Sequence, residues 1–237
     1  MSIEIKKLYK HYGDQVVFSD LNLTLKENKI SVIMGKSGDG KTTLLNCIAG
    51  LTDYDGTVEG VSGVSYVFQE DRLIPFMSVY ENLDFTLDGS IKGSARRKKI
   101  MEMLSLTGLT DKANALIGEI SGGQSKRVSI ARAFLSDKSV VLMDEPLNSL
   151  DLGLKIKITS LLVSLKEKYN KTVVYVTHNI DEALNIADEV FVIEKNGVAY
   201  NYSFLSGTKN REILGSECIG VKSKLITLLS GNSSYIE

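Results

Sequence analysis

Residues 35–43, GKSGDGKTT, place three glycines, a lysine and two threonines between two apolar runs. The run before them, KISVIM, is typical of a buried strand, and the run after them, TTLLNCIAGL, has helical spacing that stops at Gly50. A chance glycine-rich turn would not need a strand on one side and a helix on the other. The spacing Gly-x-x-x-x-Gly-Lys-Thr therefore predicts a phosphate-binding loop between a strand and a helix.

Glycines allow backbone angles that direct successive N–H groups into one concavity, and the helix that follows adds its positive N-terminal end. Lys41 can reach the β- and γ-phosphates of a nucleotide, and the Thr42 hydroxyl can bind Mg²⁺. Phosphates repel a carboxylate, so we expect the Asp39 side chain to point outward. The residues predicted to bind the nucleotide here are Gly35, Lys36, Ser37, Gly38, Asp39, Gly40, Lys41, Thr42 and Thr43.

Two further apolar runs end in polar residues. SVVLMDEP, at residues 139–146, predicts a buried parallel strand whose end presents Asp144 as a Mg²⁺ ligand and Glu145 as the group that orients or deprotonates water. The alternative for these acids is a helix N-cap pair. KTVVYVTHN predicts a third buried strand with His178 at its tip, as a γ-phosphate contact or as a structural histidine, and Asn179 as the cap of the next helix.

The segment ISGGQSKRVSIARAFL, from Ile120, predicts a second helix start suited to an anion. Ser121 can cap the helix, Gly122 and Gly123 can let a ligand approach the backbone, and the helix is expected to begin near Gln124. One domain rarely needs two phosphate-facing helix starts for one nucleotide. We therefore predict that two copies meet head to tail, each closing on the nucleotide that the other holds.

These motifs, in this order, resemble the ATP-binding cassette (ABC) ATPases over nearly the whole chain. The resemblance identifies Tyr12 as the aromatic residue that stacks on adenine and Gln69 as the Q-loop glutamine that senses Mg²⁺ and the membrane partner. It implies ATP and Mg²⁺ as ligands, with Thr42, Gln69 and Asp144 at the metal. The catalytic residues it implies are Lys41, Glu145 and His178, and the residues that bind nucleotide across the dimer are Ser121, Gly122, Gly123, Gln124 and Asp151. Ile120, Ser125 and Asn148 depart from the family pattern without removing a reacting group.

The resemblance implies an α/β fold, with a RecA-like P-loop NTPase core, an N-terminal antiparallel β-lobe and an inserted α-helical lobe at about 71–137, all within one ATPase domain, 1–237. Local patterns predict strands in the first 34 residues, a shortened hairpin at 51–64 and a final strand pair around Asn196–Gly197. The RRKK segment at 96–99 is expected to be a solvated face, and the tail from Ser203 is weakly patterned.

The composition limits the classes of partner and the cellular location that the sequence predicts. Lysine and arginine number 28 and aspartate and glutamate number 29, so nothing indicates nucleic acid binding. No run of about 18 apolar residues occurs, and the N-terminus is not expected to be a signal peptide. Cys47 and Cys218 are expected to be reduced thiols in the cytosol.

The resemblance therefore favours the ATPase subunit of a membrane transporter, at the cytoplasmic face of the membrane, with separate permease chains, an ATP-bound homodimer and a solute-binding protein. Soluble cassette ATPases of DNA repair carry a long coiled coil, and those of translation carry two cassettes. This chain shows one cassette with a compact lobe, so neither class is favoured. FQEDRLIPFMSVYENL, from Phe68, is similar to importers of nitrate, sulfonate and taurine, with Arg72–Met77 either in the permease groove or in lobe packing. The alternative is an exporter ATPase of the lipoprotein or macrolide class.

Overall fold

A computed structural model describes residues 1–148, 150–194, 197–205 and 215–230. The chain divides into two units, Met1–Gly63 with Thr172–Glu237, and Val64–Lys171, which we call the first and second units. The strands are β1 (Ile3–Tyr12), β2 (Gln15–Leu25), β3 (Ile30–Met34), β4 (Asp55–Glu59), β5 (Val64–Val67), β6 (Val140–Asp144), β7 (Thr172–Val176), β8 (Glu189–Glu194) and β9 (Gly197–Ser203). The helices are α1 (Lys41–Ile48), α2 (Val79–Asp84), α3 (Gly93–Leu106), α4 (Gly122–Leu135), α5 (Leu152–Tyr169), α6 (Ile180–Ile186) and α7 (Ser216–Ser230).

The first unit contains an antiparallel sheet in the order β2-β1-β4. The buried residues Ile3, Ile5 and Leu8 of β1 give this sheet one apolar face. The predicted hairpin at 51–64 is wrong, because this stretch contributes the single strand β4, which pairs with β1 instead of with a neighbour in sequence.

The first unit also holds a parallel arrangement in which β3 pairs with β7 on one side and with β8 on the other. All five residues of β3 are buried, as are all five of β7, so both strands are covered on both faces. Strand β9 then pairs antiparallel with β8. The predicted final strand pair is confirmed, although Asn196 of its turn lies outside the described residues.

Helix α7 lies in the tail for which the sequence predicted little pattern, and that prediction is wrong. Cys218, Val221 and Leu225 are buried, at the spacing of one helix face. Lys222 forms an ion pair with Asp181 of α6 at 2.6 Å. Only these three residues of the 15-residue helix are buried, and packing against the rest of the first unit is what stabilises it.

The second unit contains the parallel pair β5–β6, with Val67 opposite Met143, together with helices α2 to α5. Between residues 71 and 137, every described element of regular secondary structure is a helix. That these helices form an inserted lobe stays a prediction. The RRKK segment is only partly solvated. Arg96 donates from Nε to Asp84 Oδ1 at 2.5 Å and from Nη1 to the Asp88 carbonyl at 3.0 Å, so it binds the last residue of α2 and the chain that follows this helix.

Both cysteines are buried thiols. Burial raises the pKa of the Cys47 thiol to about 11, which keeps it protonated at neutral pH and therefore unreactive. Within the described ranges, no helix combines the length and the apolar character that crossing a bilayer requires.

The segment that follows Gln69 is fixed by one fully buried amide. Asn82 of α2 accepts a hydrogen bond from the Ile74 N–H at 2.9 Å through Oδ1. Its Nδ2 donates to the carbonyls of Ile74, Met77 and Ser78 at 3.1, 3.3 and 3.0 Å. Residues 74–78 have no regular structure of their own, so this side chain replaces the backbone pairing that a helix or strand would provide.

We predict that Asn82→Ala lowers the free energy of unfolding by roughly 1–3 kcal/mol, because it leaves the partly buried Ile74 N–H and Met77 carbonyl without this partner. Urea denaturation followed by circular dichroism measures the change. The matched control is Asn185→Ala, which removes an exposed amide that donates to the Asp181 carbonyl at 2.7 Å and should change stability by less than about 1 kcal/mol. Equal losses of unfolding free energy in the two variants would contradict the structural role given to Asn82.

Candidate functional site

The predicted phosphate loop lies between the end of β3 at Met34 and the start of α1 at Lys41. Gly38 and Gly40 have φ angles of 88° and 90°, in the left-handed region that favours glycine. A Cβ at Gly38 would have no atom within 4 Å, whereas one at Gly40 would lie 2.5 Å from Val17 Cγ1. The loop is therefore open at Gly38 and closely packed at Gly40.

Lys41 is turned back over this loop. Its Nζ donates to the carbonyls of Gly35 at 2.9 Å and Lys36 at 2.8 Å, and the residue is 8% exposed. These two carbonyls hold the ammonium against the loop backbone. Together, a held cation, an open glycine and a helix N-terminus suit an anion such as a phosphate.

Asp39 does not point outward, contrary to expectation. Its Oδ2 accepts a hydrogen bond from the Lys36 N–H at 2.6 Å, and its own N–H donates to the Lys36 carbonyl at 3.2 Å. The carboxylate closes the turn across Ser37 and Gly38, because the Lys36 amide offers it a donor within the loop.

His178 follows β7, the strand that is paired with β3, and it is exposed. The Thr177 N–H donates to the Ile33 carbonyl at 3.3 Å, so His178 and the phosphate loop leave the same edge of this sheet. Asn179 caps α6 as predicted, by accepting from the Glu182 N–H at 3.0 Å. The buried Glu182 in turn accepts from the Thr177 hydroxyl at 2.9 Å, which fixes the turn that carries the histidine.

Tyr12, at the end of β1, is half exposed, as a stacking residue must be. The ammonium of Lys10 lies 4.4 Å from the centre of its ring. The same ammonium donates to the Asp53 carbonyl at 2.6 Å, which anchors it. Sequence reasoning missed Lys10, although positions 10 and 12 lie two apart on one strand and so share a face.

In the second unit, Gln69 and Glu145 leave the same edge of the β5–β6 pair, since Val67 lies opposite Met143. Asp144 ends β6 and is 9% exposed. Glu145 has a φ of 43°, a conformation that is uncommon for a residue with a side chain. Asn148 donates from Nδ2 to Glu145 Oε2 at 3.0 Å, so one of the residues that depart from the family pattern contacts the predicted catalytic carboxylate.

Helix α4 begins at Gly122, two residues before the predicted start, and Ser121 caps it in a reciprocal pair with Gln124. Ser121 and Gly122 are exposed, and a Cβ at Gly122 would have no atom within 4 Å. Gly123 differs, because a Cβ there would lie 2.4 Å from Leu154 Cδ2. Asp151 caps α5 by accepting from the Leu154 N–H at 2.9 Å. The open face at this helix start is therefore the one at Ser121 and Gly122.

Within the described residues, no group of three or more histidine, cysteine, aspartate or glutamate side chains could hold a metal ion. Mg²⁺ is commonly bound by one or two carboxylates together with the phosphates of its nucleotide. Thr42 in the first unit carries a hydroxyl and Asp144 in the second carries a carboxylate, and the assignment of Thr42, Gln69 and Asp144 to the metal stays a prediction.

These features define a P-loop nucleotide-binding protein of α/β fold with a second, serine-capped helix start. The family model described as "ABC transporter" matches residues 18–148. The chain belongs to the ABC transporter family, and it is an ATPase of the cassette type.

Relatives and solved structures agree with this assignment. The chain is 38% identical to an aliphatic sulfonates import ATP-binding protein, SsuB 2, of Pseudomonas syringae pv. tomato, over 81% of this chain and 82% of that one. It is 35% identical to a spermidine/putrescine import ATP-binding protein, PotA, of Clostridium novyi, over 83% of this chain and 60% of that one. The dimeric structure of MJ0796, a bacterial ABC transporter cassette, matches with a TM-score of 0.74 and 31% identity, over 86% of this chain and 99% of that one. A post-hydrolysis dimer of the same cassette, bound to ADP and Pi, matches equally well.

We predict that Gly40→Ala destabilises the chain more than Gly38→Ala. Both variants force alanine into left-handed backbone, at about 1–2 kcal/mol, but only Gly40→Ala also meets Val17 and Phe18, which adds roughly 1–3 kcal/mol. Thermal unfolding without nucleotide measures the two losses. A larger loss for Gly38→Ala would show that the packing at Gly40 is wrongly assigned.

Proposed function

We propose that this chain energises the import of an aliphatic sulfonate or a related small anion through separate membrane permease subunits, from the cytoplasmic face of the membrane. The similarity to sulfonate import ATPases over four-fifths of the chain, in the presence of an intact phosphate loop, carries the proposal. No comparison favours the exporter alternative, since the relatives above are import subunits.

ATP is proposed to bind with its adenine on Tyr12 and its phosphates in the Gly35–Thr43 loop. Lys41 is the charge partner of the β- and γ-phosphates, and release of its ammonium from the Gly35 and Lys36 carbonyls accompanies binding. His178 is assigned to the γ-phosphate. The support for these roles is the open Gly38 and the exposed histidine at the same edge of the first unit's sheet.

Glu145 is proposed to orient the attacking water and take up its proton. The Asn148 amide, 3.0 Å from its carboxylate, keeps that side chain in one orientation. Mg²⁺, when bound, neutralises charge that develops on the phosphate oxygens. Thr42, Asp144 and Gln69 are the residues assigned to hold it.

A second copy is proposed to complete each site through its Ser121–Gln124 helix start and Asp151. The exposure of Ser121 and Gly122 and the dimeric MJ0796 cassettes support this. The permease is proposed to contact Arg72–Met77, where Phe76 is 77% exposed. Asn82 makes that segment a defined surface for a partner. A solute-binding protein outside the membrane would deliver the anion.

We predict that Glu145→Gln keeps ATP binding but lowers turnover by about 10²–10⁴-fold, because the amide cannot accept the proton of the attacking water. Fluorescent-nucleotide binding and phosphate release measure the two quantities separately. The matched control is Glu102→Gln, which neutralises an exposed carboxylate of the same unit. Undiminished turnover in Glu145→Gln would rule out this role for Glu145.

In the Glu145→Gln background, Ser37→Cys in one copy and Gly122→Cys in another should form a disulfide between chains when ATP is present. Gly122 is chosen over Gly123 because it has open space for a side chain. The native thiols do not compete, since Cys47 and Cys218 are at most 1% exposed. Non-reducing electrophoresis of mixed single variants detects the link, and its absence with ATP would contradict the head-to-tail pair.

Uptake assays test the transported solute. Cells that express this chain with its permease should accumulate a labelled alkanesulfonate, and the Glu145→Gln variant should abolish that uptake. Labelled putrescine serves as the control solute. Uptake of the polyamine without uptake of the sulfonate would overturn the proposed solute class and leave the ATPase assignment intact.

A further inference from the structure

Lys126 of α4 is a lysine whose side chain is almost fully buried, with 7% exposed. Its ammonium forms an ion pair with Asp71 Oδ1 at 2.7 Å. It also donates to the carbonyls of Gln69 at 3.0 Å and Phe68 at 3.3 Å. All three partners lie in the segment that follows β5, so one side chain of α4 holds that segment at three points.

A second contact joins the same two parts of the chain. Arg132, six residues further along α4, donates from Nη2 to the Arg72 carbonyl at 2.6 Å. The Arg72 guanidinium lies 3.9 Å from the centre of the Phe68 ring, and Phe68 stacks on Tyr66 of β5 at 4.1 Å. Residues 68–72 are therefore held by α4 on one side and by aromatic stacking onto β5 on the other.

Burial of an ion pair is a poor way to gain stability, because an apolar pair of similar volume stabilises a fold as well or better. What such a pair does provide is a defined register, since a shift of either element would leave a buried charge without its partner. Lys126 lies only five residues after Ser121, which caps the same helix. A displacement of the Gln69 segment must therefore be passed to the start of α4, or the ion pair must break.

We propose that Lys126 and Asp71 form a clamp that makes residues 68–72 and the Ser121–Gln124 helix start move as one body. Lys126 is on this view a positioning residue, which acts through the backbone of Gln69 and through the helix and does not touch the nucleotide. The inference deepens the proposed function, because Gln69 and Ser121 are assigned there to the permease signal and to the partner's nucleotide. The clamp transmits a movement of the Gln69 segment to the helix start at Ser121.

The test compares Lys126→Met with Lys168→Met, which removes an exposed ion pair to Glu102 in the same unit. Lys126→Met should bind nucleotide in the phosphate loop as the wild type does. Its ATP-driven dimerisation and its turnover should each fall roughly tenfold or more, the size of an ordinary coupling between sites. Lys168→Met should change neither. Dimerisation and turnover of Lys126→Met at the level of the control would overturn the clamp.

Hydrogen exchange gives a readout that does not depend on activity. In Lys126→Met, the hydrogen-exchange rates of the amides of residues 68–72 and 121–125 should rise together. Asp71→Asn should raise the rates of the same two segments. The double variant should exchange no faster at these segments than Lys126→Met alone, because both changes break the same ion pair. Faster exchange at only one of the two segments would overturn the clamp.

If Lys126→Met does not fold, Lys126→Gln and Asp71→Asn carry the test, since both keep polar groups at the buried position. Absent ATPase activity in the wild type would refute the proposed function alone, whereas the joint exchange pattern would still support the clamp. Normal wild-type activity with uncoupled exchange would refute the clamp alone.

Discussion

Strand β3 is hydrogen-bonded to β7 on one side and to β8 on the other, and all five of its residues are buried. This pairing fixes the position along the sheet edge at which the glycine-rich loop begins, and it brings His178 to the same edge. Without it, the loop would lack the rigid strand end that lets its amide groups keep a common direction. The register Val67–Met143 does the same for Gln69 and Glu145 in the second unit.

Polar and charged side chains then fix the positions of the groups that the strand ends provide. Lys41 and Asp39 both bond to the backbone of the phosphate loop, and Asn148 contacts the carboxylate of Glu145. Lys126 holds the Gln69 segment from within α4.

Much of the fold and the site could be predicted from the sequence, because the informative segments are local. A buried strand, a glycine loop and a helix follow one another within 20 residues, and spacing alone identifies them. The caps at Ser121 and Asn179 are equally local. The errors in the fold concern packing between distant parts of the chain. Nothing near residues 55–59 indicates that β1 is the partner of β4. In α7, apolar residues lie on more than one face, and only packing selects the face with Cys218, Val221 and Leu225 for burial.

The sequence by itself determined the family, the strand and helix order around the phosphate loop, and the residues able to bind a nucleotide, since each depends on residue types at fixed spacing. Only the tertiary structure decided where the Asp39 carboxylate points, which glycine of Ser121–Gln124 is open, and what Lys10, Asn148 and Lys126 contact. The partners of Lys10 and Lys126 lie far away in the chain, and spacing along the chain carries no record of such contacts. The partners of Asp39 and Asn148 lie three residues away, but the contact depends on the conformation of the backbone between them, which spacing does not specify.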